Sequence, residues 1–191
     1  MPEHGVGFLD VPVPEDLYGA DYFEHYRKLD RTVIGRRLAL VRLALVAAHW
    51  DGPLIDIGIG GGGFVKSYEG ASGWDINEHA LRWLYGEGLL RDPRIIPFEC
   101  ATLWDSLEHM RDPSLILNNV TRWAFVSTPI YRDADHARHS KHYKPGEHLW
   151  YFTERGLHAY MKRLGFKLRE SNALECDCGR EDIGSFAFER I

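Results

Sequence analysis

The chain has 191 residues, of which 45% are hydrophobic and 27% charged, with 23 lysines and arginines against 28 aspartates and glutamates and a formal net charge of -5. These proportions exclude a disordered or membrane-type composition, and the acidic balance argues against the broad basic surface that sequence-independent duplex binding needs. The length suits one hydrophobic core, so a single domain over residues 21–191 is expected behind an irregular N-terminal arm over residues 1–20.

Met1 to Pro14, rich in proline and glycine, begins that arm, and it lacks the apolar core of a secretory signal. From Asp21 to His49 the pattern turns helical, with Leu38, Val41, Leu45 and Ala48 on one face of a covering helix. Its most apolar part, Leu38 to Trp50, contains Arg42 and is shorter than the roughly 20 apolar residues that cross a bilayer. No membrane association and a cytoplasmic location are therefore expected. Pro53 to Ile57 reads as a buried strand entering a glycine turn, followed by a helix starting at Phe64 to Tyr68. Ser72 to Asp75 reads as a short strand and Glu78 to Tyr85 as the next helix.

Phe98 to Trp104 and Trp123 to Ser127 read as strands on either side of a short helix over Pro113 to Asn119. After a polar, histidine-rich loop, Thr153 to Leu164 shows a helical stripe of Leu157, Tyr160, Met161 and Leu164 that Gly165 ends. Phe166 to Leu174 and Ser185 to Arg190 alternate as a closing strand pair. Strands interleaved with helices, then a hairpin, imply an α/β fold with a mostly parallel open sheet and one antiparallel strand. Cys100, Cys176 and Cys178 form an odd set that suggests reduced thiols rather than a disulfide framework.

The most informative segment is Asp56-Ile57-Gly58-Ile59-Gly60-Gly61-Gly62-Gly63, directly after a strand. Gly58, Gly60 and Gly63 also satisfy the G-x-G-x-x-G of dinucleotide enzymes, so the glycines alone leave that reading open. Asp75 follows Asp56 by 75 - 56 = 19 residues, at the end of the second strand, where a carboxylate can accept hydrogen bonds from both ribose hydroxyls. Asp56 would repel a pyrophosphate but suits the sulfonium and ammonium groups of S-adenosyl-L-methionine (SAM).

Through LIDIGIGGGGF (Leu54 to Phe64), GWDIN (Gly73 to Asn77) and TLWDSLEHMRDP (Thr102 to Pro113), the chain resembles the class I SAM-dependent methyltransferases. VSTPI (Val126 to Ile130) and EHLWYFTERGLHAYMKRLGF (Glu147 to Phe166) extend the resemblance over about Tyr22 to Ile191. TLWDSLEH and KHYKPGEHLWYFT (Lys141 to Thr153) also look like short methyltransferase-like proteins of bacteriophages. The resemblance implies a Rossmann-like fold and SAM as cofactor. The implied cofactor-binding residues are Asp56, Gly58, Gly60, Gly62, Asp75, Ile76 and Trp104. Of these, the three glycines would line methionine and ribose, and Asp75 would hold the ribose hydroxyls. Only Gly86 to Pro97 separates the second helix from FECATLW, too little for the strand and acidic loop that members place beside adenine. The third strand is therefore expected to be shortened or missing, and the adenine contact stays unassigned.

Asp105, Glu108 and His109 follow the strand that ends at Trp104, on the edge where open α/β sheets bind ligands. Asp105 is the first candidate to orient the acceptor or the SAM amino group, although an aspartate there equally suits a turn cap. His109 joins it as a catalytic candidate. In the loop holding Asp133, His136, His139, His142, Tyr143 and His148, His142 and His139 are the candidate general bases. With Cys176 and Cys178 these histidines match no strong zinc template, so no metal ligand is assigned. Tyr18, Tyr22, Phe23 and Tyr26 suit closure over the cofactor as well as plain packing, and Arg36, Arg37 and Arg42 include candidates for the methionine carboxylate.

The absence of a D/N-P-P-Y/F tetrapeptide and of a Pro-Cys nucleophile makes a small-molecule acceptor the expectation over nucleic acid. Two other readings stay open at this point: a SAM-binding accessory or sensor without transferase activity, and a dinucleotide-dependent oxidoreductase.

Overall fold

The computed structural model describes residues 4–14 and 17–191, so part of the expected arm (residues 1–3 and 15–16) lies outside the described residues. The central sheet grows from short apolar runs. It contains β2 (Leu54–Ile57), β3 (Ala71–Trp74), β4 (Phe98–Trp104), β5 (Val120–Pro129), β7 (Phe166–Asn172) and β8 (Ile183–Arg190) in the order β3-β2-β4-β5-β8-β7. All pairings from β3 to β5 are parallel, and β8 runs antiparallel to both β5 and β7. This is the mostly parallel sheet with one antiparallel strand that the pattern of elements implies.

The chain passes from β2 outward to β3, then returns to place β4 on the other side of β2. That reversal opens a crevice at the carboxyl ends of β2 and β4, the usual ligand position in such sheets. The expected third strand is reduced to a single parallel bridge between Gly73 and Leu90. Two hydrogen bonds hold it, Gly73 N–H to the Leu89 carbonyl (2.9 Å) and Arg91 N–H to the Gly73 carbonyl (3.1 Å).

Helices cover both faces. On one side α1 (Ala20–Asp30), α2 (Val33–Ala47), α3 (Gly63–Ser67) and α4 (Glu78–Gly86) pack Phe23, Val46, Phe64 and Leu84 into a core with Leu54 and Phe125. On the other, α5 (Ser114–Leu117) and α7 (Glu154–Arg163) bury Leu117, Leu157 and Met161 against Ile55, Leu103 and Val126. The helical pattern from Asp21 to His49 forms two helices rather than one. Thr32 divides them: its hydroxyl donates to the Leu29 carbonyl (2.7 Å) and accepts from Gly35 N–H (3.0 Å), capping α2.

The N-terminal arm is not wholly irregular. Its Val6–Phe8 forms β1, which pairs antiparallel with β6 (Trp150–Phe152), Val6 facing Phe152 and Phe8 facing Trp150 with ring centroids 4.7 Å apart. The histidine-rich segment, expected to be a loop, likewise contains β6 and α6 (Ala134–His139), the latter capped by the Asp133 carboxylate. The connection between β7 and β8 carries the short α8 (Leu174–Asp177), so the first of these strands stops at Asn172.

Gly156 fixes how closely the arm approaches. A Cβ there would stand 2.0 Å from the Gly5 carbonyl oxygen, which accepts from Thr153 N–H (2.8 Å). Gly156→Ala should therefore dislodge β1 and destabilise the fold by about 1–3 kcal/mol, the usual cost of overpacking. Limited proteolysis should show earlier cleavage within residues 4–14, with a lower urea midpoint; unchanged cleavage would show that the arm tolerates the methyl group.

Candidate functional site

A cavity of about 970 Å³ lies at the crevice, beneath α1 and α2, within the size range of small-ligand sites. Its floor is the glycine turn between β2 and α3. Gly58 has φ +76° and a Cβ on it would meet the Ser106 Cβ at 2.6 Å; Gly62 has φ +86° and would meet the Trp83 ring at 2.4 Å. Both positions thus require glycine by backbone conformation and by space. Gly60 lines the same floor.

Two carboxylates clamp this turn. Asp30, at the end of α1, accepts from Gly63 N–H (2.9 Å), tying the covering helix to the start of α3. Asp75 accepts from Ile59 N–H (3.0 Å) and, through its other oxygen, from Asn77 N–H (2.9 Å), while Asn77 caps α4. Burial raises the Asp75 pKa, opposed by these backbone N–H groups. Asp56 is almost fully buried, accepts from the Thr102 hydroxyl (2.6 Å), and is pushed by burial up to about 7. Asp56, Asp75, Ile76 and Trp104 all line the cavity; Ile76 is 59% exposed there, and the buried Trp104 Nε1 has no partner among the described residues.

Asp105 has a positive φ of 52°, a strained conformation for a residue with a side chain. Its carboxylate is not a free acid or base. It pairs with Arg42 (2.9 Å) and with both terminal nitrogens of Arg180, and the same two arginines bind the fully buried Glu175, Arg42 Nε at 2.7 Å and Arg180 Nη1 at 2.7 Å. Burial alone would raise the Asp105 pKa, but Arg180 and Arg42 outweigh it and hold the carboxyl below its usual range. Arg42 also lies 5.2 Å from the centroid of the Trp104 ring. Arg42 and Arg36 both line the cavity, but Arg42 is committed to two acids, whereas Arg36 donates only to the Arg31 carbonyl among the described residues.

Beyond Asp105 the chain makes a 3-10 turn (Leu107–His109) that brings Glu108 and His109 beside His148, with the two imidazole centroids 4.6 Å apart. His109 Nδ1 stands 3.0 Å from the Glu147 carbonyl, which only accepts, so Nδ1 carries the proton and Nε2 the lone pair. The Tyr18 hydroxyl lies 3.1 Å from the same Nδ1. Burial lowers the pKa of His109 and takes that of His148 down to about 3, so both rings are neutral. Glu108 is pushed up to about 8, first by burial and then by the charge of Asp105.

The other sequence candidates separate. Tyr18, Tyr22, Tyr26 and His109 line the cavity, whereas Phe23 of the same aromatic set packs in the core. His142 is not among its lining residues; its Nε2 bonds to the Glu181 carbonyl (2.9 Å). His139 is exposed and bonds within α6, to the Asp135 carbonyl (2.8 Å), and the Cys176 thiol donates to the Ile183 carbonyl. Glu175 and Arg180 went unnoticed in the sequence, where only the charged stretch around CGRED marks them.

The family described as methyltransferase domain matches residues 23–171. The fold is similar to that of magnesium protoporphyrin IX methyltransferase from Synechocystis PCC 6803 with bound S-adenosylhomocysteine (SAH), at TM-score 0.66 and 13% identity over 92% of this chain and 97% of that one. It is also similar to a SAM-dependent methyltransferase from Thermotoga maritima described as a possible histamine N-methyltransferase, at TM-score 0.63 and 14% identity over 90% of this chain and 97% of that one. At these identities the likeness is one of fold. A search of curated proteins finds no match.

The ion cluster makes its own prediction. Asp105→Ala leaves two half-buried guanidinium groups facing Glu175 alone and should cost about 3 kcal/mol of stability. Urea denaturation should show that loss largely recovered in the Asp105→Ala/Arg180→Ala double variant. Additive losses would contradict the coupling.

Proposed function

Since the chain belongs to the methyltransferase-domain family and uses SAM as its methyl donor, we propose that it transfers the methyl group to a small molecule held in the same cavity as the donor. The observation that carries this reading is that a single cavity is lined both by the glycine turn with Asp75 and by Tyr18, Tyr22 and His109.

In this reading the donor lies along the glycine turn. Both Asp75 oxygens accept backbone N–H groups, and a carboxylate has further lone-pair sites for the ribose hydroxyls. Ile76 offers its exposed apolar side chain to the adenine. The Asp56 carboxyl would face the cationic methionine end, and the buried Trp104 indole N–H has no partner among the described residues. Methyl transfer is an in-line displacement: the acceptor forms a bond to the methyl carbon as the sulfur–carbon electron pair passes to sulfur. The protein's contribution is chiefly alignment. Asp105 acts by holding Arg42 and Arg180 at the cavity wall, and His109 presents a neutral lone pair at the acceptor end. The acidic balance of the chain and the enclosing tyrosines favour a small acceptor over a nucleic acid.

Methyl-labelled SAM offered with pools of small hydroxyl and amino compounds, and separately with DNA and RNA oligonucleotides, tests this. Label should pass to a small compound, and Tyr22→Ala should lower kcat/KM about tenfold while SAH affinity holds. Label on oligonucleotides alone would overturn the acceptor reading.

Calorimetry tests the donor site. Asp75→Ala should weaken SAH binding by about two orders of magnitude, since it removes the ribose acceptor and loosens Ile59. The Asp56 carboxyl, at about 7 in the free protein, must ionise to meet a cation. SAM affinity relative to Asp56→Asn should therefore rise about tenfold from pH 6 to pH 8, as the bound proton no longer has to be displaced. A flat ratio would remove Asp56 from the donor site.

A further inference from the structure

Glu108 and His148, beside His109 at the acceptor end, have chemistry that methyl transfer does not use. One potential ligand atom from each of Glu108, His109 and His148 lies within 4.8 Å of the others. Glu108 is 1% exposed and His148 4% exposed, yet Glu108 Oε1 and His148 Nδ1 have no hydrogen-bond partner among the described residues. An orphaned buried acceptor on a carboxyl group is costly, and a second orphan on the neighbouring imidazole compounds it. The third group contributes a lone pair, because His109 commits Nδ1–H to the Glu147 carbonyl and keeps Nε2 for another partner.

We propose that Glu108, His109 and His148 form a binding site for a divalent transition-metal ion at the wall of the donor cavity. Two neutral imidazoles and one carboxylate are a familiar three-ligand set for zinc, iron(II) and related ions, with the remaining positions left to water or another oxygen. The supporting contacts are those a metal site needs. The Thr128 hydroxyl donates to Glu108 Oε2 (3.0 Å), turning Oε1 away from it, and the Glu147 carbonyl fixes the His109 tautomer. Ligands about 2.1 Å from a tetrahedral ion stand about 3.4 Å apart, so small side-chain rotations close the group on the ion.

The ion would join separate parts of the fold. Glu108 and His109 follow β4, whereas His148 lies two residues before β6 of the small sheet, and the intervening Leu149 N–H already donates to the Glu108 carbonyl (2.8 Å). His109 lines the cavity, so open metal positions are reachable by an oxygen of the bound acceptor or by water. The metal site does not depend on the acceptor being a small molecule.

The test uses the chelator-treated 191-residue chain titrated with Zn2+ by calorimetry and with Co2+ by visible absorption. Wild type should bind one equivalent of Zn2+, show Co2+ d–d bands, and rise in thermal midpoint with metal. His148→Ala and Glu108→Gln should each lose at least about tenfold in affinity while retaining SAH binding, which separates ligand loss from misfolding. Cys176→Ser/Cys178→Ser should bind like wild type. Zn2+ binding that is absent in wild type, unaffected by the His148 and Glu108 substitutions, or abolished by the cysteine substitutions would overturn the assignment. Failure of methyl transfer to small molecules with intact metal binding would instead count against the acceptor reading alone.

Discussion

At Gly58, Gly61, Gly62 and Gly63 the turn after β2 has no room for a Cβ, and the rest of the site depends on that constraint. At Gly58 and Gly62 a Cβ would meet Ser106 and Trp83 well inside contact distance. The turn is thereby seated against the segment after β4 on one side and α4 on the other. Asp30 and Asp75 complete the clamp by accepting from Gly63 and Ile59 N–H. The backbone is held open toward the cavity because both ends are fixed, and an adenosine-type ligand can approach the main chain where side chains would otherwise stand.

Charge organises the opposite wall. Arg42 from α2, Arg180 from the segment after α8, Glu175 from α8 and Asp105 from the turn after β4 form a neutral four-membered cluster. It joins the covering helix to the hairpin end of the sheet, so one group of ion pairs shapes the cavity and closes the fold. Removing one member leaves partly buried charge without its counterpart, which makes these side chains interdependent. The cluster also changes the part that Asp105 plays: a carboxylate held by two guanidinium groups is a poor proton acceptor and a rigid positioning element.

Much of the architecture was legible in the sequence because its determinants are local. The strand before the glycine turn, Asp75 on the second strand, the helix from Glu78 and the capped helix before Gly165 all follow from short-range patterns. So does the reduced third strand, which follows from the spacing between Gly86 and Phe98. The pairing of β1 with β6 was not legible, since three-residue strands carry too little alternation and their partners lie far apart, Val6 facing Phe152. The ion cluster escaped for the same reason: Arg42 and Glu175 are 133 residues apart. His148 looked like one histidine among several in a polar loop, and only the fold turns it inward beside Glu108 and His109.

The central claim is that the glycine turn, flanked by Asp56 and Asp75, seats the donor. A crystal structure with SAH tests it most directly. The ribose hydroxyls should lie within hydrogen-bonding distance of Asp75, with the thioether sulfur directed toward the Tyr18, Tyr22 and His109 end of the cavity. SAH bound elsewhere, or bound in the cavity with its ribose away from Asp75, would contradict the account.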